Sequence, residues 1–175
     1  HRRLVRDVMI SVGQQGVPIF ARRLPTSSSN LAKDLLYIID RINPPDKVSL
    51  FAPILKHENA VLRMEGLTTI ARTKDARCFE IIEETFRTHE VPQMRAHAAR
   101  LLAEYPPTMC EPVLLSAVNA EDFEHKADGE KRALIGALAK VESSKAQGWV
   151  RAIFAEKSGL LRGRRVDDRK LMAIS

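Results

Sequence analysis

The sequence predicts an all-α fold in which about five helical hairpins, and part of a sixth, follow one another along the chain. Apolar residues recur at the three- and four-residue spacing of amphipathic helices through most of the sequence. Aromatic residues make up only 5% of it, which favours stacked helices with an aliphatic core over a β-sandwich. The first helices of successive hairpins, anchored at residues 35, 66, 98 and 134, are separated by 31, 32 and 36 residues. This spacing predicts a tandem repeat.

The second helices repeat with the same period as the first. Their anchors, residues 17, 48, 79, 111 and 148, are separated by 31, 31, 32 and 37 residues. In both sets the longest step crosses the charged segment 119–129, which we interpret as a surface loop. We therefore expect residues 1–175 to form a single repeat domain, a portion of a longer array with flanking repeats. The predicted hairpins cover residues 3–25, 27–56, 58–89, 91–118 and 130–157, followed by a helix over 166–175.

Turn-forming residues mark the ends of the predicted helices. Gly13 ends the first helix, and Val17-Pro18 begins the second. The segments Asn43-Pro44-Pro45-Asp46 and Tyr105-Pro106-Pro107 end the first helices of hairpins two and four. Pro53 predicts an interruption within the second helix of hairpin two, because proline lacks the N–H that continues an α-helix.

The clearest hairpin covers residues 60–87. Each of its two helices is predicted to bury a stripe of apolar residues, and the turn Thr73-Lys74-Asp75 joins the helices. The predicted stripes are Ala60, Met64, Leu67 and Ala71 in the first helix, and Phe79, Ile82 and Phe86 in the second. The apolar stripe of the first predicted helix of the chain consists of Leu4, Val5, Val8 and Val12.

The turn from Thr73 to Glu80, T-K-D-A-R-C-F-E, resembles the turn of short bacterial HEAT-like repeats of the phycobilin-lyase type. Leu67–Ile70 lies where that family has its A-L-G-x-I run, and Lys74 replaces the family's usual glycine. The resemblance implies an armadillo-type, right-handed α-solenoid whose second helices line the concave face. Asp75 is placed to cap the second helix.

Composition and charge narrow the classes of partner. No apolar run approaches the length of a membrane span, so we expect a cytoplasmic protein without a membrane partner. Cys78 and Cys110 lie among apolar neighbours and are interpreted as buried free thiols. The net charge is +6. It is concentrated at the two ends, whereas residues 57–120 carry two more acidic than basic side chains.

Two His-Glu dipeptides, His57-Glu58 and His89-Glu90, lie one repeat apart. Such pairs occur in the HEAT-like di-iron deoxyhypusine hydroxylases, but there they lie inside the first helix and four are needed. Here the pairs lie at helix ends, so we interpret them as helix-end residues and predict no metal and no cofactor. The sequence contains no recognisable catalytic set, and we predict that the protein is not an enzyme.

Phosphate contacts are the basis of an alternative function. Arg22 and Arg23 near one end, and Arg162, Arg164 and Arg165 near the other, could bind phosphates, and Trp149 could stack on a base. Because the arginines lie far apart in sequence, we favour solvated or inter-repeat roles for them. For Trp149 we favour packing against its neighbours Val150, Ile153 and Phe154.

The leading hypothesis is a non-catalytic scaffolding module that binds a protein or peptide on its concave face. Its predicted contact residues are Glu80, Glu83, Glu84 and Arg87, which share one face of the second helix of hairpin three. A nucleic-acid-binding HEAT-like domain is the alternative, and a lyase-like or glycosylase-like HEAT enzyme is a third possibility.

Overall fold

The computed structural model describes residues 2–155, and within that range it contains ten α-helices and no β-strand. This confirms the prediction of an all-α fold. The chain divides into two compact units, His1–Cys78 and Phe79–Ser175. The predicted final helix over 166–175 lies outside the described residues, and the interpretation of the chain as one repeat domain stays a prediction.

Residues 2–78 of the first unit form five complete α-helices. These are α1 (Arg2–Ser11), α2 (Val17–Arg23), α3 (Ser29–Ile42), α4 (Lys47–Phe51) and α5 (Ala60–Arg72). Short 3₁₀ turns occupy Gly13–Gly16, Leu24–Thr26 and Ala52–Lys56. Pro53 lies in the first turn of the last of these, so the predicted interruption of the helix is confirmed.

Local caps explain where several of these helices begin and end. Asn43 ends α3 in the left-handed conformation, with φ of 57°, and the proline that follows cannot continue a helix. The Asp46 carboxylate accepts a hydrogen bond from the Ser49 N–H and caps α4. Asn59 Oδ1 accepts from the Val61 and Leu62 N–H groups and caps α5.

Five further helices follow along the chain. The first of them begins at residues 77 and 78 of the first unit and continues into the second unit, which contains the other four. The five helices are α6 (Arg77–Thr88), α7 (Pro92–Leu102), α8 (Pro107–Val118), α9 (Asp128–Lys140) and α10 (Ser144–Ala155). A 3₁₀ turn covers Glu121–His125. Within this unit α9 packs against α7, α8 and α10, which makes α9 its central helix.

Positions that the repeat aligns are buried in every first helix of hairpins two to five. In the first unit α3 packs against α5, and in the second α7 packs against α9, so neighbouring first helices lie side by side in each. Three aligned columns provide the buried surface. They are Leu35, Gly66, Ala98 and Leu134; Leu36, Leu67, Ala99 and Ile135; and Ile39, Ile70, Leu102 and Leu138.

Two predicted apolar stripes are wrong. No residue of α1 is buried, and Leu4, Val5, Val8 and Val12 are at least 50% exposed, because no described element covers that face of the helix. In α5 the buried stripe is Leu62, Gly66, Leu67 and Ile70, whereas Ala60, Met64 and Ala71 are only partly buried. The stripe is rotated because Gly66, which has no side chain, lets α5 approach the 3₁₀ turn at Ile54.

Both cysteines, Cys78 and Cys110, are buried free thiols, as predicted. Cys78 Sγ donates to the Ile70 carbonyl at 3.1 Å, so its polar atom is bonded inside the first unit. Across residues 2–155, no helix combines the length and the apolar character that a membrane crossing requires.

The contact between Gly66 and Ile54 can be tested with a pair of alanine substitutions. A Cβ at Gly66 would overlap the Ile54 Cγ2 methyl, whereas no described atom lies within 4 Å of the corresponding position at Gly136 in α9. We expect Gly66→Ala to lower the free energy of unfolding by about 1 to 3 kcal/mol. Gly136→Ala should raise it by about 0.5 to 1 kcal/mol, because alanine is the better helix former. Urea unfolding measures both, and a stabilised Gly66→Ala variant would contradict this account of α5.

The turn between α5 and α6 holds Lys74 in a conformation that favours glycine. Its φ is 55°, in the left-handed region, at the position where the resembling repeats carry glycine. Asp75 accepts from the Arg77 N–H at 2.9 Å, so the predicted cap is present at the start of α6. Hydrogen bonds from the Arg77 side chain and from its backbone N–H lower the pKa of Asp75 to about 2. Arg77 Nη2 also donates to Asp46 at 2.7 Å, which connects the turn to the start of α4.

Replacing Lys74 with glycine should therefore stabilise the protein. We expect Lys74→Gly to raise the free energy of unfolding by about 0.5 to 1 kcal/mol, since glycine adopts positive φ without a steric cost. Lys74→Ala keeps the strain and should change it by less than about 0.5 kcal/mol. Thermal unfolding followed by circular dichroism compares the two variants, and equal melting temperatures would contradict the prediction.

Candidate functional site

The predicted contact residues Glu80, Glu83, Glu84 and Arg87 lie on one exposed face of α6. Glu80, Glu84 and Arg87 are exposed, and Glu83 is partly buried. The opposite face carries Ile82 and Phe86, which are buried. The helix thus presents a row of charged groups over two turns while its apolar side is covered.

Only one of the three carboxylates on this face has a cationic partner among the described residues. Arg87 Nη2 lies 2.8 Å from Glu83 Oε1, in the favourable i, i+4 arrangement on one helix. Glu80 and Glu84 form no ion pair within residues 2–155. The acidic face, which we define as Glu80, Glu83 and Glu84, therefore keeps two uncompensated negative charges one helical turn apart.

The acidic face leads into a groove in the second unit. The groove has a volume of about 750 Å³ and begins at Phe86, Arg87 and Thr88, the last turn of α6. Its other walls come from the His89-Glu90 connection, from α7 and α8, and from the segment that precedes α9. Five charged side chains lie in these walls: Glu90, Arg95, Asp122, Lys126 and Glu130.

Arg95 holds two walls of the groove together, and the sequence did not identify it. Its Nε and Nη2 donate to Glu130 Oε1 and Oε2 at 2.8 and 2.7 Å, a two-point pairing of guanidinium and carboxylate. The Glu130 side chain is only 1% exposed. The hydrogen bonds that Arg95 donates to Glu130 raise the pKa of Arg95. Glu130 is the one buried acidic side chain among the described residues, and this pairing occupies it.

The remaining nitrogen of Arg95 fixes the His89-Glu90 connection. Nη1 donates to the carbonyls of His89 and Glu90 at 2.7 and 3.1 Å. In the first unit, Arg63 makes the same contacts, donating to the carbonyls of His57 and Glu58 at 2.6 and 2.9 Å. Each arginine lies six residues after its histidine. We call each arrangement an arginine clamp.

The histidines of the two dipeptides have structural partners. His57 is buried, its Nε2 lies 2.9 Å from the Ser27 carbonyl, and its Nδ1 accepts from the Asn59 N–H at 3.0 Å. His89 Nδ1 accepts from the Val91 N–H at 3.0 Å, the equivalent bond one repeat later. In residues 2–155, no set of three or more His, Cys, Asp or Glu side chains is arranged to hold a metal ion.

Residues 119–127 form a surface loop with one buried anchor, and the last two residues of the predicted loop, 128 and 129, belong to α9. Most of its residues are exposed, as predicted, but Phe123 is buried at 3% exposure. Lys126 Nζ bonds Asp122 at 2.6 Å and lowers the pKa of that carboxyl. The loop is therefore a fixed wall of the groove.

The residues of the alternative nucleic-acid hypothesis are divided among the first unit, the second unit and the part of the chain outside the described residues. Arg22 and Arg23 are exposed in the last turn of α2. Trp149 is half-buried in α10, and its Nε1 donates to Asn119 Oδ1 at 3.1 Å, which connects α10 to the start of the loop. Arg162, Arg164 and Arg165 lie outside the described residues.

Comparison of the chain with models of protein families, with curated proteins and with solved structures finds no match.

The two arginine clamps provide a matched test of the groove. Arg95→Met should lower the free energy of unfolding by about 3 kcal/mol, because it leaves the Glu130 carboxylate buried without a partner. Arg63→Met removes the same carbonyl contacts but leaves no buried carboxylate without a partner. It should lower the free energy of unfolding by only about 1 to 2 kcal/mol. Urea unfolding measures both. The double variant Arg95→Met/Glu130→Leu should lose less stability than Arg95→Met alone, and a larger loss would contradict the assignment.

Proposed function

We propose that the chain is a non-catalytic HEAT-like scaffolding module that binds a basic segment of a protein or peptide along the acidic face of α6. The observation that carries this proposal is the pair of exposed carboxylates, Glu80 and Glu84, with no cation beside them in the described residues. A lysine- or arginine-rich partner supplies the missing charge. The groove that begins at Arg87 offers a concave continuation of the same surface.

An armadillo-type, right-handed α-solenoid is part of this proposal. Its support is the shared period of the helices, the three buried columns and the recurrence of the arginine clamp after one repeat. Arrays of this kind provide extended binding surfaces on their second helices, and α6 is a second helix. We place the module in the cytoplasm, since Cys78 and Cys110 are both buried and form no disulfide.

The ion pairs in the walls of this groove favour a role in binding over a role in catalysis. Its three cations, Arg87, Arg95 and Lys126, each pair with a carboxylate of the same unit, at 2.8, 2.7 and 2.6 Å. Glu130, whose burial would suit a catalytic acid, is held by two hydrogen bonds from Arg95. A rigid, charge-balanced groove next to an uncompensated acidic face suits recognition of an extended basic chain.

Charge reversal on α6 tests the proposal. We expect Glu80→Lys/Glu84→Lys to weaken binding to arrayed lysine- and arginine-rich peptides by at least about tenfold, because both uncompensated carboxylates become cations. Fluorescence anisotropy with labelled basic peptides measures the affinity. The melting temperature should remain unchanged, since both side chains are exposed.

A matched variant in the same unit controls for net charge. Glu104→Lys/Glu142→Lys makes the same change at two exposed positions outside α6. It should leave peptide affinity within about twofold of the unmodified protein, apart from long-range effects that salt screens. Equal loss of affinity in both variants, or no basic peptide bound by the unmodified protein, would refute the proposal.

A further inference from the structure

The first unit contains a second cavity, which the proposed function does not use. Its volume is about 420 Å³, within the range of small-ligand sites. It lies between the start of α1 and the outer face of α3. Its lining is four arginines, one aspartate and one tyrosine: Arg2, Arg3, Arg6, Arg41, Asp7 and Tyr37.

A single partly buried carboxylate positions two of the arginines. Asp34 accepts hydrogen bonds from Arg2 Nε, at 3.0 and 2.8 Å, and from Arg6 Nε at 2.6 Å. Arg2 Nη2 also donates to the Asn30 carbonyl at 3.1 Å. Burial raises the pKa of Asp34, but the hydrogen bonds from Arg2 and Arg6 outweigh it and leave that pKa below its usual range. Two guanidinium groups are thus held by one negative charge.

Tyr37 lies among the guanidinium groups. The guanidinium carbon of Arg6 lies 5.0 Å from the centre of the Tyr37 ring, and that of Arg41 lies 6.0 Å from it. Asp34, Tyr37 and Arg41 are three and four residues apart, so they share one face of α3. Tyr37 is nevertheless 43% exposed, which leaves part of it open to a ligand.

The cavity carries more positive charge than its carboxylates balance. Arg3 and Arg41 form no ion pair within residues 2–155, and Arg2 and Arg6 share Asp34. Four guanidinium groups therefore face two carboxylates, Asp7 and Asp34. Repulsion among the unpaired guanidinium groups is relieved when an anion enters, and guanidinium binds phosphate oxygens through paired N–H donors.

We infer that this cavity binds a nucleotide, with the phosphate at Arg3 and Arg41 and the base stacked on Tyr37 and the neighbouring guanidinium planes. Bases stack on aromatic rings and on arginine planes, and the cavity places both beside the phosphate donors. A phosphopeptide offers the phosphate without the planar base, so it uses only half of this lining. A free nucleotide and a nucleotide within a single strand share the required chemistry.

Substitution of the two arginines without ion pairs tests the site. Arg3→Gln/Arg41→Gln should lower affinity for a fluorescein-labelled oligo(dA) at least about tenfold at low salt. It should also reduce the slope of log affinity against log salt by about 1.4, which corresponds to two phosphate contacts on a single strand. Tyr37→Leu should weaken binding at least about fivefold by removing the stack. Circular dichroism confirms that each variant is folded.

The control variant is Lys56→Gln/Arg72→Gln, which removes two exposed cations of the same unit that do not line the cavity. It should change affinity by less than about twofold. Competition with AMP distinguishes a free nucleotide from a nucleotide within a single strand. If AMP displaces the oligonucleotide with a similar affinity per nucleotide, the ligand is a free nucleotide. If the protein strongly prefers longer strands, the ligand is single-stranded nucleic acid.

Three results would overturn the inference. They are no binding of either probe to the unmodified protein, an equal loss in the Lys56→Gln/Arg72→Gln control, and equal affinity for a phosphopeptide of the same charge. The first two results would show that the cavity is not a nucleotide site, and the third would show that it does not recognise the base.

Discussion

The helices α3, α5, α7 and α9 each have an apolar face that has to be buried. Within each unit this is met by placing first helices side by side, α3 against α5 and α7 against α9. Within each unit the aligned column that begins at Leu35 pairs a large residue with a small one, Leu35 with Gly66 and Leu134 with Ala98. The close contact of Gly66 with Ile54 and the rotated stripe of α5 follow from the same packing requirement.

Packing helices side by side leaves backbone carbonyls unpaired in the connections between hairpins, and the arginine clamps satisfy them. Arg63 and Arg95 each donate to two consecutive carbonyls of the preceding connection. Buried polar groups without partners are costly, so a long cation that returns from the helix to its own connection stabilises the turn. In the second unit the clamp also neutralises Glu130, which joins the start of α9 to α7. Arg95, which stabilises the connection, thus also forms part of the groove wall.

The two candidate surfaces differ in how their charges are balanced. In the groove each cation has a carboxylate partner, and the excess charge lies beside it, on the acidic face of α6. In the cavity of the first unit the cations outnumber the carboxylates, and Tyr37 lies among them. Excess charge of opposite sign on the two surfaces suits ligands of opposite sign.

The sequence by itself determined the all-α class, the helix positions, the break at Pro53, the cap at Asp75 and the buried thiols. These depend on spacing and on turn chemistry within a few residues, which local sequence specifies. Only the tertiary structure decided which stripe of α5 is buried, which face of α1 is open, and that Arg95 meets Glu130. It also brought Arg2, Arg6 and Arg41 around Tyr37. These contacts join residues about one repeat apart, and periodicity alone does not specify which side chains meet across that distance.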